Sequence, residues 1–150
     1  MSGIIKQTEV LNFITAGKAT FTIKNIATEN RYTYKVRAPR DKKKEEATLL
    51  WVSVMTGPDN EMSYSYIGCL RKLPSGQWVF GYSSKSKLSS QAPSVKGFEI
   101  IFNTIWSVGK VNANLEFWHE GTCCRCGHPL TVPESIASGI GPECAKRRTR

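Results

Sequence analysis

Near the C-terminal end of the chain, His119, Cys123, Cys126 and Cys144 have the types and spacing to do chemistry. Cys123 and Cys126 are two residues apart, so their thiolates can share one metal ion, and Gly127 allows the backbone to turn tightly around the sulfurs. Cys144 follows Gly141-Pro142, and proline is favoured in the first turn of a helix. A thiol there gains from the helix dipole, which lowers its pKa and suits it to zinc. Thr131-x-x-Glu134 between the two clusters is a capping box for a short helix that Gly139 can close, with Ile136 and Ile140 packing beneath. His119 is the first choice of fourth donor, completing a Cys3His set for Zn2+. His128, Cys124 or an open position are the alternatives.

A site of three thiolates and one imidazole is closed and leaves no position for a reactive water, so its role is structural. Other catalytic patterns are lacking. His119-Glu120 is not followed by the second histidine of a zinc hydrolase, and the His-x-Glu of a nucleobase deaminase does not occur upstream of the cysteines. Two histidines in the whole chain supply no convincing Ser/His/Asp set, and Gly139-x-Gly141-Pro142 lacks the lysine of a phosphate loop. The expected protein is not an enzyme, and no small-molecule substrate is evident.

Charge points to a partner. With 21 basic against 12 acidic residues, the formal net charge is +9. A field of that sign favours polyanions. Lys146, Arg147, Arg148 and Arg150 form a basic tail directly after the cysteines, and Lys42, Lys43 and Lys44 form a second cluster, partly offset by Glu45 and Glu46. Tyr32, Tyr34, Tyr64 and Tyr66 lie in strand-like runs interleaved with Lys35 and Arg37, as a base-stacking face would, with Tyr34 and Tyr66 the candidate stacking residues. Alternating tyrosines also occur as ordinary sheet core, and terminal basic runs as solvated tails.

These residues need a scaffold. Residues 7–16 have helical apolar spacing, with Thr8 to cap and Gly17 to end the helix. ATFTIKN and RYTYKVRA alternate with period two around a loop at 26–30 and predict a hairpin. LLWVSVM, SYSYIGCL and QWVFGY predict three more strands, the last pair joined by the turn LPSG. Phe98, Ile101, Phe102, Ile105 and Trp106 then fall on one face of a helix over 95–108, ended by Gly109. NLEFW predicts a short strand feeding the cysteine segment. The expected fold is α+β: an antiparallel sheet of about five strands between residues 19 and 82, covered by one main helix, with a small C-terminal zinc annex. Trp51, Ile67, Phe98, Ile101, Phe102 and Ile105 are the expected core. The corresponding division is a strand-rich basic domain at 1–112 and a zinc-knuckle module with its tail at 113–150.

The run Cys-x-x-Cys-Gly-x-Pro-Leu-Thr-x-Pro-Glu-Ser-Ile-x-x-Gly-Ile-Gly-Pro-Glu-Cys, from Cys123 to Cys144, resembles a small, largely uncharacterised family of zinc-knuckle proteins of bacteriophages and prophages. WVSVMTGPDNEMSYSYIG and EFWHEG resemble its longer members, more loosely. The resemblance implies zinc and phage origin and supplies no activity. Cys124 and His128 depart from the family's pattern, which argues against either as the principal ligand.

Reduced cysteines clustered as metal ligands, no membrane-spanning apolar run and no signal peptide suit the cytoplasm, here that of a host cell. The expected function is nucleic-acid binding around a structural zinc. The alternative is a protein-interaction module that blocks a host enzyme or defence complex. No membrane partner is expected.

Overall fold

The structure, a computed structural model, describes residues 3–6, 9–39, 48–56, 64–108, 113–125 and 140. Alternating apolar residues build one antiparallel sheet from β1 (Gly3–Ile4), β2 (Lys18–Asn25), β3 (Arg31–Arg37), β4 (Leu49–Met55), β5 (Tyr64–Lys72), β6 (Trp78–Tyr82) and β7 (Leu115–His119). Their order across the sheet is β1-β7-β2-β3-β4-β5-β6. Among the described residues, two helices accompany it, α1 (Val10–Ile14) and α2 (Pro93–Val108).

This corrects the sequence-based architecture. The sheet has seven strands rather than about five, and among the described residues no zinc annex is seen. The difference arises at Leu115–His119, which inserts between β1 and β2 and pairs with both. Its burial alternates, with Phe117 and His119 enclosed and Glu116 and Trp118 half-buried, as for any two-faced strand. The first residues after the expected boundary at 112 therefore complete the sheet.

One face of the sheet carries the core. Phe21 stacks on Tyr34 at 5.8 Å, and Tyr34 meets Phe98 of α2 at 5.0 Å. Phe80 of β6 meets the same Phe98 ring at 5.2 Å, while Phe13 of α1 reaches Phe21 at 6.1 Å. Both helices thus lie on one side, α1 over the β7–β2 half and α2 over the β3–β6 half. Val95, Phe98, Phe102 and Ile105 form the buried stripe of α2, and Ile101 is half-buried at its margin. Trp51, expected in the core, is instead 42% exposed, because Leu50, Val52 and Val54 take the inner positions of β4 and Trp51 points the other way.

Local chemistry sets the connections. Asn25 Oδ1 accepts from the Ala27 and Thr28 amides, turning the chain between β2 and β3. Gly76, at φ 93°, supplies the left-handed residue of the β5–β6 turn. β5 is irregular between its pairings with Val52 and Ser53, where Gly68 faces Val52 and Tyr66 faces Ser53. Ile67 lies between them and is buried. Among the described residues, no helix is long and apolar enough to cross a membrane.

Candidate functional site

The cysteine segment starts from the sheet. His119 ends β7 opposite Phe21 on β2 and Gly3 on β1, fully buried, with its ring 6.4 Å from that of Phe13. Gly121, at φ 86°, then turns the chain, and its amide donates to His119 Nδ1 at 3.0 Å. A neutral imidazole accepting there keeps its proton on Nε2. For a neutral His119 to ligate a metal through either nitrogen, the Gly121 bond to Nδ1 must yield.

Cys123 and Cys124 are both fully buried, and the Cys124 carbonyl accepts from the Lys18 amide at 2.8 Å, fastening the segment to the start of β2. The Arg125 amide approaches Cys123 Sγ at 3.4 Å. An amide donated to sulfur two residues back favours the thiolate, the form that binds zinc. Cys123 therefore fits the donor role, and His119 fits it only after the rearrangement above.

Cys126 and Cys144, the other expected ligands, and His128, the alternative, lie outside the described residues, as does the capping box at Thr131 and Glu134. Ile140, expected beneath the site, is buried within the same apolar cluster as Cys123 and Cys124. Among the described residues, no group of three or more His, Cys, Asp or Glu side chains is placed to hold a metal.

The second candidate surface is the sheet face opposite the helices. Residue alternation places Thr20, Thr22, Thr33, Lys35, Arg37, Trp51, Ser53, Tyr64, Tyr66, Cys69 and Arg71 on it, and no described helix lies over it. None of the strands β2 to β6 contains an aspartate or glutamate. Among the described residues, the carboxylates of this face, Glu116 and Glu120, come from β7 and the residue after it. Thr22 donates to Glu120 at 2.7 Å and lies 2.7 Å from the Thr33 hydroxyl, which can then donate to Thr22.

Toward β4 the face turns basic and aromatic. Lys35 Nζ sits 4.1 Å from the centre of the Tyr64 ring. Burial first, then Glu120, pushes the Tyr64 hydroxyl above the usual phenol range, while Arg37 pulls it down. Arg37 donates to the Ala19 carbonyl and the Thr20 hydroxyl across the strand pair, and burial lowers its pKa. Trp51 and Tyr66 meet edge to face at 5.8 Å. Beyond them, Trp51, Tyr66, Cys69 and Arg71 border a groove of about 480 Å³ that continues to Gly81 and Ser84.

Of the residues expected to contact nucleic acid, Tyr66 is on this face. Tyr34 is not: it is 1% exposed, its hydroxyl donates to the Ser94 carbonyl at 2.7 Å, and burial followed by Tyr32 raises its pKa. It is a core residue and offers no ring face to a base. Lys42, Lys43, Lys44, Lys146, Arg147, Arg148 and Arg150 lie outside the described residues. Trp51 and Arg71 are exposed on the same face, although the sequence singles out neither as a surface residue of interest. The signal for Trp51 was Ser53, a polar residue two positions along a run otherwise read as continuous core.

A family of unknown function, DUF6011, matches residues 113–149, a span that holds β7 and the four expected zinc ligands. No curated protein matches the chain, and no solved structure does.

Proposed function

We propose that this chain is a non-enzymatic nucleic-acid-binding protein that works in a host cytoplasm on behalf of a phage and is braced at its C-terminal end by a structural zinc. The observation that carries this reading is the open sheet face: five consecutive strands without a carboxylate, bearing Lys35, Arg37 and Arg71 among Trp51, Tyr64 and Tyr66. Aromatic faces beside cations suit single strands, whose bases are free to stack while phosphates meet positive charge. The tail from Lys146 to Arg150 adds to the same field. Cys123, Cys126 and Cys144 supply the zinc thiolates, with His119 as first choice of fourth donor. The ion contributes rigidity: it joins the segment after β7 to the residues around Cys144.

Binding of labelled single-stranded DNA, single-stranded RNA and duplex DNA, each titrated at low and moderate salt, tests the reading. Sequence-tolerant affinity for single strands, falling steeply with salt, is expected. A protein with no affinity for any of the three at low salt overturns it. Capture of an acidic host protein from nuclease-treated lysate would then favour the host-blocking alternative.

A further inference from the structure

The groove bordered by Trp51, Tyr66, Cys69 and Arg71 has a more specific use, and the argument for it rests on the nucleic-acid reading above. We infer that it is a subsite for one nucleotide of a single strand, with the base against the Trp51 indole and its phosphate on the Arg71 guanidinium.

The strand register builds this site. Trp51 lies opposite Cys69, and Cys69 lies opposite Gly81. A large flat ring is thus followed across the sheet by a small thiol and then by no side chain at all. That sequence of sizes leaves a hollow beside the indole, and a Cβ added at Gly81 would meet nothing within 4 Å. Two residues along β5, Arg71 lies between Leu49 and Val79, so its guanidinium is a cation at the rim of a groove whose other described lining residues are uncharged.

The volume, about 480 Å³, is in the range of small-ligand sites. Trp51 keeps 42% of its surface exposed although its neighbours on β4 are buried or half-buried. Tyr66 braces it edge to face rather than by parallel stacking. An exposed indole stacks well on any base, and an arginine at its side matches phosphate geometry. Among the described residues, no carboxylate lines the groove to repel the phosphate.

Cys69 provides a reporter inside the groove. Its thiol is free and half-buried. Alkylation of Cys69 by iodoacetamide, followed by peptide mass spectrometry, can be timed with and without a saturating single-stranded oligonucleotide. Affinities of Trp51→Ala, Trp51→Phe and Arg71→Gln are measured beside it by fluorescence anisotropy. Both positions are exposed, so the variants should fold as the parent does. The inference expects the oligonucleotide to slow Cys69 alkylation several-fold. It expects Trp51→Ala to weaken binding about 5- to 150-fold, with Trp51→Phe recovering much of the loss. Arg71→Gln should weaken binding and flatten its salt dependence. A parent that binds single strands while Cys69 reacts at an unchanged rate, or while Trp51→Ala binds equally well, overturns the subsite and leaves the broader function standing. A parent that binds no nucleic acid overturns both.

Discussion

The Tyr34 hydroxyl donates to the Ser94 carbonyl at 2.7 Å, linking the middle of β3 to the first turn of α2 across 60 residues of sequence. The same ring stacks on Phe21 and meets Phe98, so one side chain joins the sheet, the helix and the aromatic core. The bond sits where water is excluded, and its donor has to stay protonated.

Tyr34→Phe should therefore cost about 0.5–1.5 kcal/mol at neutral pH, the worth of one such bond. The effect has a pH signature. Burial raises the folded-state pKa of Tyr34 above the ordinary phenol value, so the folded state holds the proton more tightly than the unfolded chain does. Stability from this group is fully present below about pH 10 and is lost as pH rises past it. Tyr64 is shifted in the same direction and contributes a smaller part. Denaturant melts at neutral pH and above pH 10 should show the gap between parent and Tyr34→Phe closing as pH rises. A gap that stays constant would separate the bond from the proton.

How far the fold was legible follows from which residues have local patterns. Alternation located β2 and β3, strand-length runs bounded by turn residues located β4 to β6, and the stripe from Phe98 to Trp106 located α2, because all these signals lie within or beside single elements. The position of β7 between β1 and β2 depends on contacts about a hundred residues apart, such as Thr22 with Glu120. No local pattern encodes those, and β1 is too short to show a period. The candidate site divides similarly. The cysteine spacing behind the proposed zinc site is local and readable on its own, whereas the Trp51–Arg71 groove exists only once β4, β5 and β6 are in register.

Gly68 has no room for even a single added carbon. A Cβ built there would fall 2.2 Å from the Gly81 carbonyl oxygen and 3.0 Å from the Phe80 ring. The first contact is with backbone, so a rotamer change cannot relieve it, and β6 would have to move away from β5. Gly68→Ala should destabilise by about 1–3 kcal/mol, as overpacking does, although it adds a single methyl. Gly97→Ala in α2 is the control, because its Cβ would meet nothing within 4 Å and alanine favours a helix. Equal melting temperatures for the two variants would contradict the close approach.

Zinc should be present at about one equivalent per chain in protein purified without added metal. Cys123→Ser and Cys144→Ser should each lose it, and Cys69→Ser should retain it. His119→Ala and His128→Ala compete for the fourth position, and the variant that weakens zinc binding identifies the donor. Chelation has a residue-level readout. The Lys18 amide is held by the Cys124 carbonyl at 2.8 Å, so its hydrogen exchange should accelerate when the ion is removed. The Phe21 and Thr22 amides, within paired β2, should remain protected. Unchanged exchange at Lys18 would mean that this end of the segment is held by the sheet and not by metal.

Cations on the open face should divide into those that hold the protein together and those that meet a partner. Arg37 is half-buried and spends its guanidinium on the Ala19 carbonyl and the Thr20 hydroxyl. Arg37→Gln should therefore cost about 1.5–3 kcal/mol of stability, the range for hydrogen bonds from a charged donor. Lys18 lies beside it in the row Lys18–Arg37–Trp51 and is exposed. Two strand spacings separate it from Trp51, roughly 10 Å, a span that a strand of nucleic acid seated in the groove can cross. Lys18→Gln should change stability by less than about 0.5 kcal/mol, as surface substitutions do. On single strands it should lower the slope of log affinity against log salt by roughly 0.7, the share of one phosphate contact. Thermal melts and salt titrations of both variants make the comparison. A Lys18→Gln protein with the parent's salt slope would confine the bound strand to the far side of Trp51.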